Sequence, residues 1–396
     1  MSAQQGSQVS WPRFYTVDVL RGISILAVVL LHIRIRLGAS GFRLGTVLPR
    51  WFFHPLFDNG NNGVTVFFAV SGFLITLTSL RRVGSLGSVS PRTFYRIRFA
   101  RIMPMLLLTL SVLSVLHLLH ARGFVIAPGK ASLPRALFAA LTFHLNWLEA
   151  TRGWLPANWD VLWSLSVEEV FYLFFPLVCF VLFRLRQGTF FFVVLLFSFV
   201  AVGPFARIVW TQNPIWQEKC YLGGMDCIAL GCLTALLTHR LLRKDQAFGE
   251  GIRNLLFAFQ VAGAGLITLI FFWPRWPGMS VIGKAGLDTT IIAGGTCLVM
   301  IASVLRGGAG RCWTYPIRWF GRCSYEVYLT HEFIVVWGTA LWAKLHRGPM
   351  TAWIVGMLLL TAPVGWAAAT FFSEPLNRKL RKSRTAQNVP PAPVAV

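Results

Sequence analysis

The stretch Tyr15–Arg36, YTVDVLRGISILAVVLLHIRIR, is apolar enough to cross a bilayer, yet it carries Asp18, Arg21 and His32. An ionisable group at the centre of a spanning helix costs roughly 2.5–3.5 kcal/mol on insertion scales, so such groups mark function. At 3.6 residues per turn, Arg21 and His32 differ by only about 20° around a helix, with His32 roughly 16 Å further along its axis. Asp18 lies one turn before Arg21 and can pair with it. Carboxylate, guanidinium and imidazole thus form one polar stripe. The imidazole, with an unperturbed pKa near 6.5, is a candidate general base for a hydroxyl. The guanidinium either stabilises developing negative charge or holds Asp18. The bland alternative is a snorkelling Arg–Asp pair at one interface and a histidine at the other.

Four further constellations stand out. In NWDVLWSLSVEEVFYLFFPL (158–177), Glu168 and Tyr172 are four apart and face one direction, while Glu169 points about 100° away. Ser164 or Ser166 is the expected cap of this helix, with the carboxylates near its positive end. Two glutamates running straight into an apolar span suggest that one enters a polar cavity. In RFARIMP, Arg98 and Arg101 share one helical face at the inner end of a span, with Pro104 placed in a first turn. Such a pair is either a topology signal or a bidentate grip on phosphate. SYEVYLTHEFIV (324–335) sets Glu326, His331 and Glu332 inside another span, and His331 with His32 points to a shared polar cavity. Ser71-Gly72 reads as a close-packing site, with no base next to Ser71 in sequence. Ser373-Glu374-Pro375 reads as a helix stop.

The elements that must hold these residues follow from composition. The chain of 396 residues is 55% hydrophobic and 13% charged, about half the charge of a soluble domain. Its apolar runs do not alternate as barrel strands would. The expected class is all-α: a polytopic transmembrane bundle of about ten (10–11) helices. Spans are expected near 16–34, 64–80, 102–120, 167–184, 189–209, 224–242, 254–273, 287–305, 324–343 and 351–372. Residues 134–148 are apolar but short, so they read as a short span, a re-entrant piece or an interfacial helix. A disordered tail is expected over 1–13, the transmembrane domain over 14–376, and a basic, then Pro/Ala-rich, cytoplasmic tail over 377–396.

The net charge of +23 does not indicate nucleic acid, because most Lys and Arg lie in short segments between apolar runs. With both termini cytoplasmic, those segments (81–101, 184–188, 239–253, 305–322 and 373–384) fall inside. Arg34, Arg36, Arg43 and Arg50 weaken the pattern on the first outer loop. Seven cysteines in largely apolar contexts read as buried thiols rather than a disulfide framework or zinc site, and no metal is expected. A cleaved signal peptide is not expected, since the first apolar run holds Asp18 and Arg21 and no small-residue cleavage site follows.

Taken together, DVLRGISILAVVLLH, GVTVFFAVSGFLIT, RFARIMP, WSLSVEEVFYLFFP, SYEVYLTH and the closing Glu-Pro resemble the acyltransferase 3 family of integral-membrane acyltransferases. The resemblance runs from about residue 14 to 376. It implies transfer of an acyl group, most often acetyl, from cytoplasmic acyl-CoA to a hydroxyl of a surface glycan or other acceptor. Acyl-CoA (acetyl-CoA) is then a donor substrate, with no tightly bound cofactor. The first-helix motif falls on Arg21 and His32, the paired arginines on Arg98 and Arg101, and the acidic motif on Glu168, with Glu169 and Tyr172 beside it.

On that footing His32 is the general base, with Glu168, Arg21 and Asp18 in the catalytic set. Arg98 and Arg101 hold the CoA phosphates, and Tyr172, Glu169 and His331 lie on the substrate side. Tyr172 or Glu168 would orient the acceptor or His32, and an acyl-histidine intermediate is a variant. The partners implied are the bilayer of the inner (plasma) membrane, acyl-CoA and the acceptor, with no nucleic acid. Many relatives carry a fused extracytoplasmic hydrolase-like domain that is not seen in this chain, so a separate extracytoplasmic transferase is a further expected partner. Thr65 and Glu332 depart from the family pattern. The rival class is a secondary transporter or flippase, which would show inverted repeats.

Overall fold

The computed structural model describes residues 14–209, 212–243, 248–272, 277–307, 310–345 and 348–381. The expected tail over 1–13 and the Pro/Ala-rich end lie outside those residues. In chain order the helices are α1 (Tyr15–Ala39), α2 (Arg50–Phe53), α3 (Gly60–Val83), α4 (Pro91–Leu118), α5 (Leu133–Leu141) and α6 (Leu145–Arg152). Then come α7 (Asn158–Leu182), α8 (Gly188–Val209), α9 (Pro214–Lys219), α10 (Tyr221–Leu242), α11 (Glu250–Phe272) and α12 (Pro277–Lys284). The last are α13 (Asp288–Arg306), α14 (Tyr315–Arg322), α15 (Ser324–Leu345), α16 (Met350–Ala367) and α17 (Glu374–Arg381).

Among the described residues, nine helical segments are long and apolar enough to cross a membrane. Helix α15, with 22 residues, is equally long but less apolar, because Glu326, His331 and Glu332 are built into it and buried. With it, the bundle has the expected ten long helices. Their outward faces are apolar: Phe190, Phe197 and Phe205 on α8, Phe257 and Val261 on α11, and Val355 and Leu359 on α16 are all exposed. Such a surface suits hydrocarbon rather than water. The 134–148 region divides into α5 and α6, broken at Phe143, whose φ is 57°. Each is too short for a hydrocarbon core of about 30 Å.

Pairings across helices set their directions. Arg21 pairs with Ser324 and Arg36 with Glu332, so α1 and α15 run parallel. On α3, Gly60 packs on Ala27 and Leu31 while Gly63 packs on Ser24, so α3 runs antiparallel to α1. Close approach of α3 and α10 depends on two glycines. A Cβ on Gly72 would sit 2.0 Å from the Ile228 carbonyl, and one on Gly231 would sit 2.1 Å from the Ala69 carbonyl. The Ser71-Gly72 break is therefore a contact point, as its small residues suggest.

Three boundaries differ from expectation. Helix α7 begins at Asn158, not near 167, because Trp159, Val161, Leu162 and Trp163 are apolar enough to be buried. Ser164 and Ser166 therefore do not cap it; their hydroxyls bond to Val161 and Leu162 carbonyls inside the helix. Helix α4 begins at Pro91, capped by Ser90, so Pro104 lies well inside it. Ser373-Glu374-Pro375 is not a stop. The helix widens into a π-helical stretch over Ala368–Ser373 and continues as α17. Six cysteines are buried and Cys312 is exposed.

A buried ion pair ties the peripheral helices. Arg207 on α8 donates to both oxygens of Asp226 on α10, at 3.0 and 2.9 Å, and to Thr290 of α13 at 2.6 Å. Each partner is satisfied several times, as a buried charge requires.

Candidate active site

Helices α1, α7 and α15 each contribute polar residues at two heights. The lower layer surrounds Arg21, whose Nε donates to Ser324 Oγ at 3.1 Å, with buried Asp18 one turn away and close enough to act on it. Arg101 donates to Glu326 Oε1 at 3.1 Å, and Ser373 donates to the same oxygen at 2.7 Å. Arg98 lies over the Tyr172 ring, 3.7 Å from its centre. Tyr172 and Ser71 share a hydrogen bond and both reach the Glu168 carboxyl, which also faces Arg98 and Arg21. Glu169 sits near Arg98, with its Oε1 buried and without a hydrogen-bond partner among the described residues. The sequence-derived set Asp18, Arg21, Arg98, Arg101, Glu168, Glu169 and Tyr172 is therefore one neighbourhood, with Ser71, Glu326 and Ser373 added.

The upper layer surrounds His32. Carbonyls only accept, so the His331 Nδ1 that lies 2.8 Å from the Tyr328 carbonyl carries its proton. His331 Nε2 is then an acceptor, 3.3 Å from His32 Nδ1, which also lies 2.8 Å from the Val28 carbonyl. His32 Nδ1 is thereby the protonated nitrogen, and Nε2 keeps a lone pair. Glu332 Oε1 stands 3.7 Å from that Nε2. Arg36 clamps Glu332 in a two-point bond, Nε to Oε2 at 3.0 Å and Nη2 to Oε1 at 3.1 Å. Glu332 and His331 are fully buried. This geometry fits a base: a fixed tautomer, an available lone pair, and a carboxylate placed to favour the imidazolium once formed.

His32 lines a cavity of about 160 Å³ shared with Asp160, Lys219, Trp154, Trp163 and Tyr328. Glu168 does not line it. Between Asp160 and Glu168, eight residues of α7 rise roughly 12 Å. Glu168, expected to orient the acceptor or His32, lies instead in a separate polar layer, and His331, Glu332 and Asp160 are the groups around His32. His331 supports the imidazole from behind and does not line the cavity. Between the layers stands Tyr328, whose hydroxyl donates to the Val161 carbonyl at 2.8 Å and meets Ser164 at 2.7 Å.

Sequence reasoning missed Asp160, Lys219, Glu149 and Arg36, and placed Glu332 inside a span without giving it a role. Asp160 and Glu149 fall between the apolar region 134–148 and the span expected near 167–184. Lys219 lay between two spans, where a lone lysine reads as solvated. A weak signal was present in Arg36, one turn after His32 on the same face.

A family model described as an acyltransferase domain matches residues 14–370. The chain is similar to O-acetyltransferase OatA of Staphylococcus aureus strain NCTC 8325 / PS 47 and of strain COL. In each case it is 24% identical over 392 residues, covering 93% of this chain and 58% of the relative. The chain thus spans little more than half the length of these curated relatives. No solved structure matches it.

Proposed function

The chain belongs to the acyltransferase 3 family, and from that premise we propose that it moves an acetyl group from acetyl-CoA to an acceptor hydroxyl, with His32 as general base. One observation carries the reading: His32 lines a cavity while its Nδ1–H is tied to the Val28 carbonyl and His331, which leaves the lone pair on Nε2. The relatives' name, O-acetyltransferase, agrees with oxygen as the acceptor atom. His32 Nε2 takes the hydroxyl proton, the oxygen attacks the thioester carbonyl, the C–S bond breaks, and the proton passes to the CoA thiolate. Glu332 stabilises the imidazolium between those events.

The donor enters from the arginine layer. Arg98 and Arg101 hold the CoA phosphates, with Glu168, Tyr172 and Arg21 as their neighbours. A pantetheine arm has the backbone of about four or five residues, so it extends roughly 15 Å. That matches the rise of roughly 16 Å from Arg21 to His32. Both termini face the cytoplasm of the inner membrane in this reading, since the arginine layer lies at the end where the basic segments gather. The acceptor, a glycan or another hydroxyl compound, then meets His32 from the opposite side, alone or through a separate extracytoplasmic transferase.

The test is acetyl transfer from labelled acetyl-CoA by the full chain in nanodiscs. His32→Ala should lower transfer by roughly 10²- to 10⁴-fold in protein that still assembles. Full activity in that variant would remove His32 from the mechanism.

A further inference from the structure

Lys219 is fully buried in the wall of the His32 cavity. Its ammonium donates to Glu149 Oε2 at 2.8 Å and to Asp160 Oδ1, and lies 4.0 Å from the centre of the Trp154 ring. The two carboxylates are not equivalent. Glu149 is sealed, its other oxygen taken by the Leu155 N–H at 3.0 Å. Asp160 keeps 19% of its side chain exposed and lines the cavity with His32. A solvated loop would not bury a lysine between two acids and an indole. Lys219 thereby holds the Asp160 carboxylate by one oxygen and leaves it on the wall of the cavity that His32 also lines.

Resting on the acetyl-transfer reading above, we propose that Asp160, held by Lys219, is a specificity residue. It accepts a hydrogen bond from a second hydroxyl of the acceptor, next to the one that His32 deprotonates. A carboxylate is an acceptor only, so it selects a hydroxyl donor and repels an anionic substituent at that position. Trp154 and Trp163 supply the apolar walls that a ring-shaped polyol needs. The acceptor class is therefore an uncharged polyol with neighbouring hydroxyls, about one sugar ring in size at the reacting end, and a simple monohydric alcohol is a poor substitute.

The experiment compares methyl α-D-glucopyranoside with its 2-, 3-, 4- and 6-deoxy analogues, in wild type, Asp160→Ala and Asp160→Asn. Acetyl transfer gives kcat and KM, and saturation-transfer NMR without donor gives binding. Wild type should lose roughly tenfold or more in kcat/KM for at least one deoxy analogue. In Asp160→Ala that analogue and the parent sugar should converge, mainly through a higher KM for the parent. Asp160→Asn, which keeps an acceptor oxygen and carries the test if the alanine variant does not assemble, should be intermediate. The same discrimination in wild type and variants would overturn the assignment, because a purely structural Asp160 changes all sugars equally. It is also overturned if wild type consumes acetyl-CoA through His32 yet neither binds nor discriminates any of these sugars. Failure of the acetyl-transfer reading shows separately, as turnover unchanged in His32→Ala, and the binding pattern alone then decides the role of Asp160.

Discussion

The two polar layers share α1, α7 and α15 and differ in chemistry. The lower one is built on guanidiniums: Arg21, Arg98 and Arg101 face Glu168 and Glu326. The upper one is built on imidazoles, with each nearby carboxylate clamped by a cation, Glu332 by Arg36 and Asp160 by Lys219. Planar guanidiniums suit phosphate oxygens; a tautomer-locked imidazole suits proton transfer. The difference teaches that charge density along one helix is not one site. On α1, Arg21 and His32 share a face, yet they serve ends of the molecule that differ in kind.

Substitutions can break that contrast. His32→Ala should have the largest effect, lowering kcat by roughly 10²- to 10⁴-fold with the acetyl-CoA KM little changed. Glu332→Gln should come next, lowering kcat by roughly 10- to 100-fold, because the imidazolium loses its carboxylate. Arg36→Met should act similarly, and the double variant should be less impaired than the product of the two, since both act through one pair. A smaller effect, of another kind, is expected below. Arg98→Lys with Arg101→Lys should raise the acetyl-CoA KM about tenfold and leave kcat within about twofold, because bidentate geometry is lost while charge remains. Tyr172→Phe keeps the ring beneath Arg98 and loses the hydroxyl's contacts with Ser71 and Glu168, so a few-fold change is expected. Steady-state kinetics in nanodiscs distinguishes all five. A KM effect from Glu332→Gln, or a kcat collapse from the arginine pair, would merge the layers.

Much of this was legible in advance, for physical reasons. Apolar runs report spans because hydrocarbon admits little else, and the ten expected spans overlap the ten long helices. Spacing along one helix placed Asp18 with Arg21, and Glu168 with Tyr172. What spacing cannot report is the register between helices, so Glu168 was expected beside His32 although it packs against Arg98 and Ser71. The start of α7 was set too late because Asn158 and Asp160 look like loop residues. Their partners lie far away in the chain: Asn158 donates to the Leu329 carbonyl at 2.7 Å, and Asp160 accepts from Lys219. A polar residue whose partner is distant has no local signature.

The widened turn at Ala368–Ser373 has a consequence for how the chain tolerates length changes. A π turn accommodates an extra residue, shifting everything after it by about 100° relative to a regular helix. Ser373 reaches Glu326, and beyond it Arg381 comes near Arg98 and Arg101. Deleting a single residue from this stretch would return the rod to ordinary winding and rotate its basic end out of phase with α4. The turn acts as a phase corrector between two halves of one rod.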